Sequence, residues 1–138
     1  MRVFLDTNVL ASAIATRGLC ADVLQVTLAE HQLVVGEKVL SELHRVLMRK
    51  FRASKELADE ANEFIRREAE VIAKAPRLEL SLRDADDLTV LEQAVAGASD
   101  VLVTGDHAFL EIDGQTSVRI LSPRGFWDLL REDATDDE

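Results

Sequence analysis

Apolar residues recur along this chain at two different periods. Short apolar runs at 2–5 (RVFL), 33–35 (LVV), 101–103 (VLV) and 118–121 (VRIL) read as strands. Between them the period lengthens to that of a helix. Val23, Leu24 and Leu28 mark a helix over 19–31, and Val39, Leu43, Val46, Leu47 and Phe51 mark another over 37–51. A third, over 55–73, places Leu57, Ala61, Phe64, Ile65 and Ile72 beneath a strongly charged face and ends before Pro76. Helices over 85–97 and 123–131 complete the series.

Strands that alternate with helices predict crossover units and a mainly parallel sheet covered on both faces. The expected fold is therefore α/β, a three-layer sandwich with a central sheet flanked by helices. A chain of 138 residues suits one domain, placed at 1–131. An acidic, disordered tail is expected at 132–138. In such sheets ligands bind outside the carboxyl ends of the strands, so the acids found there come first.

Asp6 follows the first strand directly. Asp, Thr and Asn at positions 6 to 8 are all good helix caps, so capping and catalysis are equally open at this point. Glu42 lies early on the 37–51 helix, and its side chain leans back toward the helix start. At about 100 degrees per residue it sits about 40 degrees from Val46, on the shoulder of the apolar stripe. The plain alternative is an exposed pair with Arg45, three residues on. Asp87 stands out more, because Val90, Leu91, Ala94 and Ala98 straddle its direction and put it in the middle of an apolar face. An ionised group buried without a partner costs several kcal/mol, so a carboxylate there requires a cation, hydrogen-bond donors or a wet cleft. With Asp84 as cap, Asp87 also suits the first turn of its helix, where the dipole favours negative charge. Asp106 follows the strand at 101–103 through a Thr104–Gly105 turn and heads a short helix containing AFL; capping is again the simple reading.

Four independent caps have no reason to lie at one edge of a sheet. Yet Asp6 and Asp106 end strands, while Glu42 and Asp87 start helices that should run back from the same edge. Carboxylates brought together repel strongly, and the usual remedies are raised pKa values or bound divalent cations. An all-oxygen set favours Mg²⁺ or Mn²⁺ over zinc. His31, His44 and His107 are not spaced as a metal cluster, and Cys20 is alone, with no second cysteine for a disulfide or a zinc site.

The net charge of −10 runs against broad phosphate neutralisation by a basic surface. Five of the acids, Glu132, Asp133, Asp136, Asp137 and Glu138, lie in the tail, which leaves −5 for residues 1–131. No apolar run approaches the roughly 20 residues of a membrane span, and the start MRVFLDTNVL lacks a signal-peptide layout. The expectation is a cytoplasmic protein with no membrane partner. A phosphoacceptor receiver domain would require a lysine after a late strand, and the last lysine is Lys74. A haloacid-dehalogenase phosphatase would require an aspartate at position 8, where Asn8 stands.

Taken together, VFLDTNVL at 3–10, VLSELHRVL at 39–47, RDADDLTVLEQA at 83–94, LVTGD at 102–106 and RILSPRGFWDLL at 119–130 resemble the PIN-domain family. The resemblance is to its compact bacterial branch, the VapC-like toxin components of toxin-antitoxin pairs. It covers nearly the whole chain, and its specificity lies in the ordered set rather than in any one motif. It implies a Mg²⁺- or Mn²⁺-dependent endoribonuclease whose acids fall on Asp6, Glu42, Asp87 and Asp106, as metal ligands and catalytic residues. The same resemblance implies Asn8 and Thr104 as supports for Asp6 and the metal's water. Arg45, Arg49, Lys50 and Arg52, a basic cluster beyond Glu42, are then the candidates to position the RNA backbone, although each singly also reads as solvated helix surface. A cognate antitoxin and a homodimer are implied as partners. Where the branch often carries a third consecutive acid, this chain has Leu88. A catalytically degenerate PIN fold that binds RNA or protein is the competing reading.

Overall fold

The computed structural model describes residues 1–80, 82 and 84–136, and of residues 134–136 the backbone alone. Five short strands form one parallel sheet: β1 (Arg2–Leu5), β2 (Gln32–Gly36), β3 (Glu70–Ile72), β4 (Val101–Val103) and β5 (Arg119–Leu121). Their order across the sheet is β3-β2-β1-β4-β5. Every neighbouring pair is parallel. The central strands are apolar without alternation because a parallel sheet is buried on both faces: Val3, Phe4, Leu5, Val34, Val35, Leu102 and Val103 are all fully buried.

Helices flank this sheet: α1 (Thr7–Ala15), α2 (Leu19–Glu30), α3 (Glu37–Arg49), α4 (Lys55–Glu68), α5 (Ala85–Ala96), the short α6 (His107–Leu110) and α7 (Pro123–Asp136). The α/β expectation holds, with the sheet wholly parallel. The apolar stripe of α3 goes into the core through Val39, Leu40, Leu43 and Leu47, and α4 contributes Ala58, Ala61 and Ile65. Helix α1, foreshadowed in the sequence only by its capping triplet, packs on α2 and α3 and seals the core with Val9, Leu10 and Ala11.

Two boundaries differ from those expected of the sequence by more than two residues. The helix expected over 55–73 stops at Glu68, and Glu70–Ile72 pairs instead with β2, in the register Val34 to Glu70, Val35 to Val71 and Gly36 to Ile72. Apolar residues at 64, 65 and 72 fit a helical period. Val71 and Ile72 are nonetheless β-branched, and the free edge of β2 offers backbone groups that a strand satisfies. An Arg2–Glu70 ion pair of 2.7 Å ties this new edge strand back to β1. At the other end, α7 runs on to Asp136, past the expected tail boundary at 131, while residues 137–138 lie outside the described ones.

The strand order bears directly on function. Chain connections leave β1 toward β2 and β3 on one side, and β4 and β5 lie on the other, so the topology switches between β1 and β4. A crevice opens at the carboxyl ends of strands at such a point, the usual place for a ligand in open α/β sheets. Asp6 follows β1 and Asp106 lies just beyond β4, on the two sides of this switch.

Candidate functional site

Asp6 still belongs to the sheet through its backbone, since its N–H donates to the Val103 carbonyl at 3.0 Å. Its side chain is 8% exposed and doubly bonded. Oδ1 accepts the Thr7 N–H at 2.8 Å, as a cap of α1, and Oδ2 accepts the Thr104 hydroxyl at 2.8 Å. Capping and site-building are therefore compatible at this residue. The fully buried Thr104 also accepts the Asp106 N–H at 3.1 Å, so one hydroxyl links the two strand-end acids. The exposed Asp106 caps α6 by accepting the Ala108 N–H at 2.9 Å.

Glu42 comes in from α3. Its Oε2 accepts the hydroxyl of Thr7 at 3.0 Å, and its Oε1 stands 3.7 Å from the Lys38 ammonium one turn earlier. The simple alternative, an ion pair with Arg45, is not what forms: Arg45 is exposed, and Lys38 is the cation at Glu42. Thr7 thus binds two candidate acids at once, one through its N–H and one through its hydroxyl. In the sequence Thr7 reads only as a capping residue.

Asp87 lies in the first turn of α5, which Asp84 caps by accepting the Asp86 N–H at 2.8 Å. It is half-buried rather than central to an apolar face: Val90, Leu91 and Ala94 are buried, but the helix ends at Ala96, and Ala98 is exposed in a turn at φ 51. Its carboxyl is nevertheless pushed up to about 6, by burial first and then by the charges of Asp84, Asp106, Asp6 and Glu42. Asp6 is shifted the same way. Burial raises it, the bonds from Thr104 and Thr7 pull it down, and the charges of Glu42 and Asp106 add to the rise. The charges of the other three expected acids therefore act on Asp87, and those of Glu42 and Asp106 act on Asp6.

Two further residues set that mouth. Gln93, on α5 and 6% exposed, accepts the Lys38 N–H at 3.1 Å and so supplies the side-chain cap that Gly36, the N-cap residue of α3, lacks. A polar residue on the buried side of α5 was the only sequence signal for it. Lys38 pairs at 2.8 Å with the exposed Asp86, which lowers the Asp86 carboxyl and raises the lysine. Asn8, expected beside Asp6, is exposed and instead accepts a long, 3.5 Å hydrogen bond from Lys50. Lys50 also lies 5.8 Å from the centroid of the Phe51 ring. Arg49 and Arg52 are exposed near the end of α3, and Arg45 is close enough to help lower Asp86.

Among the described residues no three acid, histidine or cysteine side chains are already arranged to hold a metal ion. The donor chemistry still fits a hard divalent cation, being all oxygen, and burial together with the neighbouring carboxylates raises Asp87. Magnesium in particular keeps several waters and takes only one or two carboxylates directly, so acids around a shared mouth need not all reach the ion.

The PIN domain family profile matches residues 2–108. The chain belongs to the PIN-domain family. Members of the family are typically nucleases and generally depend on metal. The matched span contains all four acids. This PIN domain is similar to a chain in a crystal structure of VapBC2 from Rickettsia felis bound to a DNA fragment from their promoter, with a TM-score of 0.64. Identity is 20%, over 87% of this chain and 98% of that one, a likeness of fold. No curated protein matches the chain at the significance asked of a relative.

Proposed function

We propose that this PIN domain is a metal-dependent endoribonuclease that hydrolyses RNA phosphodiester bonds, and that it is the toxin of a type II toxin-antitoxin pair. The observation that carries the reading is the convergence of Asp6, Glu42, Asp87 and Asp106 at the switch point of a parallel sheet, where burial first, and then the charges of Asp84 and of the other three acids, push the Asp87 carboxyl up to about 6. Purely structural caps are not expected to crowd at the cost of their own ionisation.

These four acids would hold Mg²⁺ or Mn²⁺. When bound, the ion supplies Lewis-acid activation of water and stabilisation of the charge that develops on phosphate. The chain's own groups supply position. Thr104 and Thr7 fix Asp6 from both oxygens, and Thr7 holds Glu42 beside it. Gln93 anchors the start of α3 to α5, which keeps Glu42 and Asp87 in register. The exposed Arg45, Arg49, Lys50 and Arg52 are the candidates for holding the RNA backbone. No covalent nucleophile is required.

The likeness to VapBC2 and the family membership support a cognate antitoxin as partner. We also propose a homodimer acting in the cytoplasm; light scattering that gives the mass of one chain removes the dimer. The deciding experiment is cleavage of a mixed, labelled RNA pool by purified protein with Mg²⁺ or Mn²⁺, run beside chelator and beside an Asp6→Asn, Asp87→Asn double variant. Metal-dependent cutting that the variant loses supports the nuclease. Identical behaviour of both proteins turns the reading toward a binding module that keeps the fold without catalysis.

A further inference from the structure

Lys38 stands in the acid mouth and has no part in the proposed hydrolysis. Its ammonium bonds Asp86 on α5 at 2.8 Å and lies 3.7 Å from Glu42 Oε1. Its position is set by backbone rather than by chance, because the Lys38 N–H is held by buried Gln93 and its helix starts at the sheet edge. The lysine side chain is 29% exposed and that of Glu42 18%, whereas Asp86 is 60% exposed. The cation therefore bridges an outer, solvated acid and an inner, half-buried one.

We propose that Lys38 is a built-in counter-ion that occupies the Glu42 side of the site when metal is absent, competes with the divalent ion for it, and so sets the metal concentration at which the site fills. This inference rests on the metal-binding reading of the four acids. Glu42 Oε2 accepts one bond from Thr7 and is held by it, while Oε1, the oxygen free of that bond, is the one that faces Lys38. A positive charge about 4 Å from a ligand atom acts well inside the screening length of about 10 Å at 0.1 M salt. The shorter bond to Asp86 gives the ammonium a second seat, so release from Glu42 leaves it paired at the rim. Lys38 is thus a positioning residue that acts through Glu42.

The test is direct binding of Mn²⁺, followed by the resonance signal of the free ion, for wild type and for Lys38→Gln, Lys38→Arg and Lys55→Gln. Lys55 pairs with Asp59 on α4 and controls for the loss of one charge from the chain. Lys38→Gln is expected to bind Mn²⁺ about five- to tenfold more tightly. Lys38→Arg, which keeps the charge, and Lys55→Gln should stay within about twofold of wild type. In a Glu42→Gln background the gain from Lys38→Gln should largely disappear. Unchanged or weaker binding by a folded Lys38→Gln protein overturns the role of Lys38 and leaves the metal site standing, and so does an arginine variant that shifts as glutamine does. Wild type that takes up no Mn²⁺ overturns both this inference and the metal reading beneath it.

Discussion

At Asp87, burial and four neighbouring acids oppose ionisation, and the carboxyl is pushed up to about 6. An unfolded aspartate titrates near 3.9, so between about pH 4 and 6 the folded chain binds the extra proton. Stability linked to this group therefore falls as pH rises through that window and stays reduced above it. Asp6, also raised, works in the same direction. Glu37, Asp59 and Asp86 are lowered by cationic or imidazole partners, and their contributions persist until pH drops below the ordinary carboxylate range. His31, lowered chiefly by burial, opposes the trend equally in wild type and variant. We expect metal-free Asp87→Asn to exceed wild type in stability at pH 7, by on the order of 1 kcal/mol after allowance for solvent screening. That margin should shrink as pH is lowered to 5, read from thermal or urea melts at both values. A margin that does not change with pH would mean Asp87 ionises freely.

The element that organises the mouth is the α3 start, where β2 passes into the helix at Gly36. A Cβ added there would lie 1.9 Å from Gln93 Oε1 and 2.8 Å from Gln93 Cβ, an overlap that α5 relieves only by moving away and releasing its hold on Lys38 N–H. Gly36→Ala should cost about 1–3 kcal/mol, and Gln93→Ala alone about 1 kcal/mol for the orphaned N–H. The double variant should be less destabilised than the sum of the two, because part of the clash goes with the glutamine; strict additivity in urea melts would place the strain elsewhere. Edge strand β3 shows at the same scale what periodicity misses. Glu70–Ile72 has the apolar spacing of a helix end, and only the unpaired edge of β2 makes it a strand.

For the whole molecule, a ligand that binds only the folded chain stabilises it by mass action, about 2.7 kcal/mol at one hundred times its Kd. Mg²⁺ or Mn²⁺ should raise the melting temperature of wild type, and the Asp6→Asn, Asp87→Asn variant should lose most of that rise. An equal rise in both proteins would point to general screening of the −10 net charge rather than to a site. On the proposed reading, the same acidic balance would place the burden of holding RNA on the exposed cations around the end of α3 and on a bound metal.

The chain alone determined the α/β class, four of the five strands and most of the helices, and it picked out the four candidate acids, because these depend on local period and on the residue types that flank each apolar run. It also marked Thr104 beside Asp6, although as an implication of family resemblance. Tertiary structure decided the rest. Strand order, with the switch between β1 and β4, is a matter of which edges meet, and no local pattern encodes it. Thr7 and Lys38 joined the candidate site because α3 packs on α1 and lies against α5, bringing Glu42 under a hydroxyl 35 positions away and Asp86 under an ammonium from another helix. Asn8, two residues from the same aspartate in sequence, turned outward to Lys50, since neighbouring residues on a helix point about 100 degrees apart. Side-chain chemistry is written residue by residue, but which groups share a mouth is settled only when distant segments pack.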